Sequence, residues 1–145
     1  MNRCTNIGFS CAAVALIGLA TAGLAAQASG TTTTVLGAVH IGKAVKADGQ
    51  PLPVGTYQMR VTERVAEPAA PGQTPQYERW AEFLQGGQVK GREVVTVVTP
   101  DAAKDVMKMK FPPSGGYRAE VLKGGDYYRV WFNKGGTHYL VHFNI

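Results

Sequence analysis

From residue 35 onward, apolar and polar positions alternate in short runs, and the alternation has the two-residue period of a β-strand. Paired glycines at 86–87, 115–116, 124–125 and 135–136, with Asp48-Gly49, punctuate these runs. Such dipeptides accept the positive φ angles of tight hairpin turns. The intervening segments are rich in Val, Tyr, Phe, Trp and Thr, and none carries a sustained helical stripe. The pattern predicts strands over 35–46, 54–65, 77–85, 88–99, 105–111, 117–123, 127–133 and 137–144. In the fifth of these, Met107, Met109 and Phe111 alternate with Lys108 and Lys110. The fold class is therefore all-β: a single antiparallel β-sandwich or partly closed barrel of about seven or eight strands, ending in a three-strand meander.

The meander can be read in register. If Gly124-Gly125 and Gly135-Gly136 are both two-residue loops, the opposed triplets are Tyr117–Phe132–Tyr139, Ala119–Val130–Val141 and Val121–Tyr128–Phe143. All nine side chains are apolar or aromatic and share one face. The other face receives Arg118–Trp131–Leu140 and Glu120–Arg129–His142, with a Glu120–Arg129 ion pair and an Arg118–Trp131 stacking contact expected there. A slip of one residue would invert every side chain, so two independent turns giving one apolar face is a strong constraint. Around Gly86-Gly87 two registers compete. A two-residue loop sets Leu84 opposite Val89 and Phe83 opposite Lys90; a three-residue loop sets Phe83 opposite Val89 and Arg79 opposite Glu93. Residues 66–76, with Pro68, Pro71 and Pro75, have no periodicity and read as a long mobile loop.

The chain's 145 residues suffice for one domain. Its start is of another kind. Arg3 is followed by an apolar run, 12–26, and by Ala26-Gln27-Ala28, the pattern of a secretory signal peptide cleaved after residue 28. The run is shorter than the roughly 18 residues a membrane span needs. Cleavage would leave 29–145, with 29–34 as a short flexible N-terminus and 35–145 as the domain. It would remove Arg3 from the formal net charge of +5, and both cysteines, Cys4 and Cys11, so no disulfide framework is expected. The expected location is periplasmic or extracellular.

Leu52-Pro53-Val54-Gly55-Thr56-Tyr57 leads into the second strand, with Tyr57, Met59 and Val61 alternating inward. This Leu-Pro-x-Gly-x-Tyr entry resembles that of prealbumin-like and Cna-B-like β-sandwich modules, and of many small exported bacterial proteins. The resemblance covers about a dozen residues. It implies a sandwich and carries no activity.

Signs of catalysis are sparse. Beyond residue 28 there is no cysteine, and the serines are Ser29 and Ser114, the latter in a Pro-Pro-Ser-Gly-Gly loop. No nucleophile elbow, phosphate loop or dinucleotide fingerprint is present. His138 and His142 share a strand face but lie about 13 Å apart at ~3.3 Å per residue, too far for one metal ion. With His40 they read as surface histidines facing water. Glu78 and Glu82 flank Trp80 at the same spacing, wider than the about 5–9.5 Å of a glycosidase pair. An enzyme with acidic catalytic residues would need two carboxylates converging in a cleft, with Glu78, Glu82, Glu93 and Asp126 as the candidates; for Glu78 and Glu82 a small exposed charged face is the simpler reading. No catalytic residue, metal ligand or cofactor is assigned. Lys104, Lys108, Lys110, Arg118, Lys123, Arg129 and Lys134, interleaved with aromatics, suit an anionic partner or a merely solvated basic surface. No nucleic-acid-binding pattern appears.

The sequence thus points to an exported non-enzymatic module, binding or structural, at the cell envelope. Its partner would be a glycan, a lipid head group or another anionic envelope component, or a protein. The candidate binding face is the outward side of the meander: Arg118, Glu120, Tyr127, Arg129, Trp131, Leu140 and His142. A covering sheet or loop would turn that face into core. The alternative is a β-barrel carrier of a small hydrophobic ligand, with a cavity lined by Tyr117, Tyr128, Val130, Phe132, Tyr139 and Phe143.

Overall fold

The structure, a computed structural model, describes residues 32–66, 75–106 and 110–145. The segment read as a signal peptide, most of the 66–76 loop, and Met107 to Met109 lie outside the described residues. The strands are β1 (Thr33–Ile41), β2 (Val45–Ala47), β3 (Gln50–Leu52), β4 (Gly55–Val65), β5 (Glu78–Gln85), β6 (Gln88–Val98), β7 (Tyr117–Val121), β8 (Tyr127–Lys134) and β9 (Thr137–Asn144). A 3-10 turn, Pro75–Tyr77, precedes β5, and a short helix, α1 (Pro100–Val106), follows β6. The fold is all-β. All pairings are antiparallel, in the order β1-β4-β5-β6-β9-β8-β7, and the sheet curls into a half-barrel.

The meander forms in the expected register. Tyr117 opposes Phe132 and Phe132 opposes Tyr139; Ala119, Val130 and Val141 align, as do Val121, Tyr128 and Phe143. These residues face the concave side, where Val130, Val141 and Phe143 are wholly buried with Val39, Ile41, Met59, Phe83 and Val95. Each fully buried side chain of this size stabilises the fold by about 1.5–3 kcal/mol.

The β5–β6 hairpin follows neither register in full. Its loop has two residues, pairing Gln85 with Gln88 and Leu84 with Val89, but the ladder then shifts so that Phe83 opposes Gly91 and Arg79 opposes Val95. Lys90 is the extra residue of a β-bulge. Without the bulge, Lys90, Arg92 and Thr96 would share the concave face with Phe83; with it, Gly91, Val95 and Val97 do.

Gly91 also explains how one end of the half-barrel is closed. The β2–β3 hairpin tucks over it, and a Cβ there would sit 3.1 Å from Ala47 Cβ and 3.2 Å from Leu52 Cδ1. Its Asp48-Gly49 turn has positive φ at both residues, the geometry of a two-residue hairpin loop. Glu93 accepts the Asp48 amide at 2.8 Å, Arg92 Nε donates to Asp48 at 2.8 Å, and Lys46 pairs with Asn144 on β9. The long first strand expected over 35–46 is thus broken at Gly42–Ala44, and its second half becomes the plug.

The seam between β1 and the meander is held by side chains. Tyr117 and Tyr128 hydroxyls accept the His40 and Gly42 amides at 2.9 and 3.0 Å, and the Lys134 ammonium donates to the Val35 carbonyl. Gly37, at φ +151°, brings the β1 backbone so close to the Phe132 ring that a Cβ would meet it at 3.1 Å.

Several expectations need correction. No strand spans 105–111: residues 100–106 are helical and 110–111 irregular. Thr99-Pro100-Asp101-Ala102-Ala103 is a helix start, with Thr99 in the cap position, Pro100 at the first helical position and the Ala103 amide donating to the Thr99 carbonyl at 2.9 Å. The stretch 29–34 is not all loose, since Thr33 and Thr34 pair with Thr62 and Val61. The ends of the 66–76 segment are ordered: Ala66 is buried and donates to the Glu78 carbonyl, and 75–77 form the 3-10 turn.

Candidate functional site

The convex side of the meander carries the residues singled out as a binding face. Arg118, Trp131 and Leu140 align there, as do Glu120, Arg129 and His142. Arg129 donates to Glu120 as expected. The guanidinium over the Trp131 ring is that of Arg129, 5.5 Å from its centroid, instead of Arg118. The larger correction concerns Trp131, which is 1% exposed.

What covers it is the chain between α1 and β7. Phe111 packs edge-on against Trp131, its ring centroid 5.8 Å away, and lies 4.6 Å from His138. Asn133 Nδ2 donates to the Pro112 carbonyl at 2.8 Å, and the Gly116 carbonyl accepts the Asn133 amide at 3.0 Å. Trp131 Nε1 donates to His138 Nδ1 at 3.0 Å, so this nitrogen carries a lone pair and the proton of the neutral ring sits on Nε2. His138 is therefore buried, where a water-facing histidine was expected, and burial lowers its pKa. The face thus becomes a small second core. Leu140 is half-buried, while Tyr127 and His142 remain exposed beside the Glu120–Arg129 pair. The His142 pKa is lowered by partial loss of hydration on the strand face and by the Arg129 charge.

The carboxylates do not converge. Glu78 and Glu82 lie on the convex face and Glu93 on the concave one, by their register with Thr96, Arg92 and Ala81. Glu82 pairs with Arg60 at 2.6 Å, and Arg92 lies over Trp80 at 4.6 Å. Glu93 holds the amides of Asp48 and Val94; burial raises its pKa, with these two hydrogen bonds acting in the opposite direction. Glu78 is 1% exposed, where an exposed charged face was expected. Its two oxygens accept the Thr96 hydroxyl at 3.0 and 3.1 Å, and burial raises its pKa against that hydrogen bond and the Arg79 charge. Among the described residues, no three His, Cys, Asp or Glu side chains cluster as metal ligands would.

The concave side offers a different site. At the end opposite the β2–β3 plug, a recess of about 330 Å³ opens between β1, β4, the 3-10 turn, β6 and β9. Val61, Val97 and Tyr139 form its apolar wall, and Thr34, Glu63, Tyr77, Arg79 and Thr99 supply polar groups. The recess exists because β4 bulges: between the pairs Val61–Ala81 and Val65–Arg79, β4 advances four residues while β5 advances two. Two surplus residues bow the strand outward and bring Thr62 and Glu63 into the wall. The Thr62 hydroxyl is buried and has no hydrogen-bond partner among the described residues. Arg79 is braced by the Gln76 and Glu78 carbonyls, at 3.3 and 2.8 Å, which fixes it at the rim. Burial raises the Tyr139 pKa, so its phenol stays protonated as a potential donor.

Of the residues expected to line a barrel cavity, Tyr139 alone is among those that line this recess. Val130, Phe132 and Phe143 are packed core, and the hydroxyls of Tyr117 and Tyr128 are bonded to β1. Sequence reasoning missed the recess because the β4 bulge has no glycine or turn signal in Val61-Thr62-Glu63-Arg64-Val65. Arg79 at an inward-facing position of β5 was the available hint.

Compared with protein-family models, with curated proteins and with solved structures, the chain matches none.

Proposed function

We propose that the protein is an exported, non-enzymatic binding protein of the cell envelope that holds a small molecule in the open mouth of its half-barrel. The observation that carries this reading is the recess itself: an apolar wall of Val61, Val97 and Tyr139 with polar groups at its rim. Its volume falls at the lower end of the roughly 300–1,000 Å³ usual for ligand sites. The ligand it suits is compact and largely apolar, with one hydrogen-bonding or anionic end directed toward Arg79 and the threonines. Export rests on the N-terminal pattern, and the non-enzymatic reading on carboxylates that are separately engaged.

The test is native mass spectrometry and thermal-shift titration with short aliphatic acids, simple phenols and mono- and oligosaccharides, on wild type and on Val97→Trp, which fills the recess. Binding of an acid or phenol that Val97→Trp abolishes is the expected outcome. No response from any class, or one that Val97→Trp leaves unchanged, would refute the mouth as the site. A saccharide response lost in Arg129→Ala would return the function to the convex face. N-terminal sequencing of the secreted product should begin at Ser29.

A further inference from the structure

Among the described residues, β7 ends the sheet and makes backbone pairs with β8 alone; β1 reaches it through the Tyr117 hydroxyl, and no strand pairs with its other edge. The direction of its backbone groups follows from two hydrogen bonds. The Leu122 amide donates to the Tyr127 carbonyl and the Gly116 carbonyl accepts the Asn133 amide, so residues 116 and 122 turn toward β8. In an antiparallel ladder this orientation alternates, so Arg118 and Glu120 also turn toward β8. The N–H and C=O groups of Tyr117, Ala119 and Val121 therefore point to the free edge. The same strand exposes apolar surface, with Tyr117 37% and Val121 45% exposed.

We propose that this edge pairs with the β7 edge of a second copy of the chain, antiparallel, with Ala119 opposite Ala119 of the partner subunit. This register satisfies three conditions together. Tyr117, Ala119 and Val121 each meet a residue whose backbone groups also face the edge, so every edge N–H finds a carbonyl. On the concave face, Tyr117 lies opposite the partner's Val121, and each covers the other. On the convex face, Arg118 lies opposite the partner's Glu120 in a non-hydrogen-bonded pair, where side chains approach most closely.

Arg118 has no carboxylate partner among the described residues, and Glu120 already holds Arg129. The dimer would thus give Glu120 a second guanidinium and Arg118 its counter-ion. Moving the partner strand by two residues either way sets Arg118 against Arg118 or Glu120 against Glu120, which disfavours both alternatives. Charges placed at an edge ordinarily block such pairing; here their order is self-complementary. With five residues per strand the interface is small, and the association belongs to the weak, concentration-dependent class.

The test is sedimentation velocity on the protein purified after expression of the full chain, from about 10 µM to about 1 mM. Wild type should shift from monomer to dimer across that range. Arg118→Glu sets like charges opposite each other twice and should weaken dimerisation at least about tenfold. Ala119→Pro removes an edge-facing N–H while leaving the β8 ladder intact, and should do the same. Mixing Arg118→Glu with Glu120→Lys should restore a dimer, because the hetero-pair alone is complementary at both positions. A monomeric wild type at every concentration would overturn the proposal and leave the edge to strands of other proteins. A dimer undiminished in both Arg118→Glu and Ala119→Pro would place the interface elsewhere. If Ala119→Pro fails to fold, Arg118→Glu and the mixing experiment decide the question.

Discussion

Replacing Trp131 by alanine separates a binding residue from a structural one. On an exposed face the change would cost little, since surface substitutions fall within about 0.5 kcal/mol of zero. The structure predicts otherwise. Trp131 is 1% exposed, packs edge-on against Phe111 and donates its indole N–H to His138 Nδ1. Removing a buried Trp costs about 3–5 kcal/mol in lost transfer energy and residual cavity. The broken hydrogen bond adds about 0.5–1.5 kcal/mol. A total of about 5 kcal/mol is a large fraction of the about 5–15 kcal/mol that holds a domain folded. It would lower the melting midpoint by roughly 20 °C for a domain of this size. Urea unfolding followed by far-UV circular dichroism gives the free energy, and differential scanning calorimetry the midpoint. Trp131→Phe keeps an aromatic ring but leaves His138 Nδ1 unpaired, and should lose about 1–3 kcal/mol. A loss below about 1 kcal/mol in Trp131→Ala would refute the reasoning, because the 110–116 segment would then not be a real cover over this face.

Other outcomes follow from the same geometry. Gly91→Val places methyl groups where Ala47 and Leu52 already stand, and should cost about 1–3 kcal/mol or more and expose the β2–β3 hairpin to hydrogen exchange. Gly37→Ala adds a strained positive φ to a contact with Phe132, and should destabilise the protein and loosen the seam, seen as faster exchange of the His40 and Gly42 amides. His138 and His142 have folded pKa values below the ordinary 6.5, so their contribution is complete above that pH and is lost as pH falls toward the lowered values. Glu78 and Glu93, raised above 4.5, act in the opposite sense, adding stability as pH falls through their raised values. The histidine part is read as the difference in urea midpoint against pH between wild type and His138→Gln; identical curves would exclude His138 as a titrating group. The Arg60–Glu82 pair, with both side chains partly exposed, should show a coupling of no more than about 1 kcal/mol in a double-mutant cycle.

The meander was legible because its information is local. Two glycine turns set the pairing, and alternation then required Tyr117, Val130 and Phe143 to share a face, as they do. The same reasoning placed Glu120 beside Arg129. At Gly86-Gly87 local signals conflicted, and a bulge at Lys90 resolved them, driven by the need to keep Phe83 inside. The helix start at Thr99-Pro100-Asp101 was present in the sequence, but the Met/Lys alternation that follows it has a strand period and masked it.

By itself, then, the sequence determined the all-β class, the principal hairpins and the apolar face of the last three strands. Each depends on residues close in the chain and on the period-two geometry of a strand. Which faces of the sheet meet water was decided by the tertiary structure. Phe111 and Pro112 arrive over Trp131 from another part of the chain, and the β2–β3 hairpin arrives over Gly91. Burial is a property of what lies opposite a side chain, and alternation along one strand records only that its two sides differ.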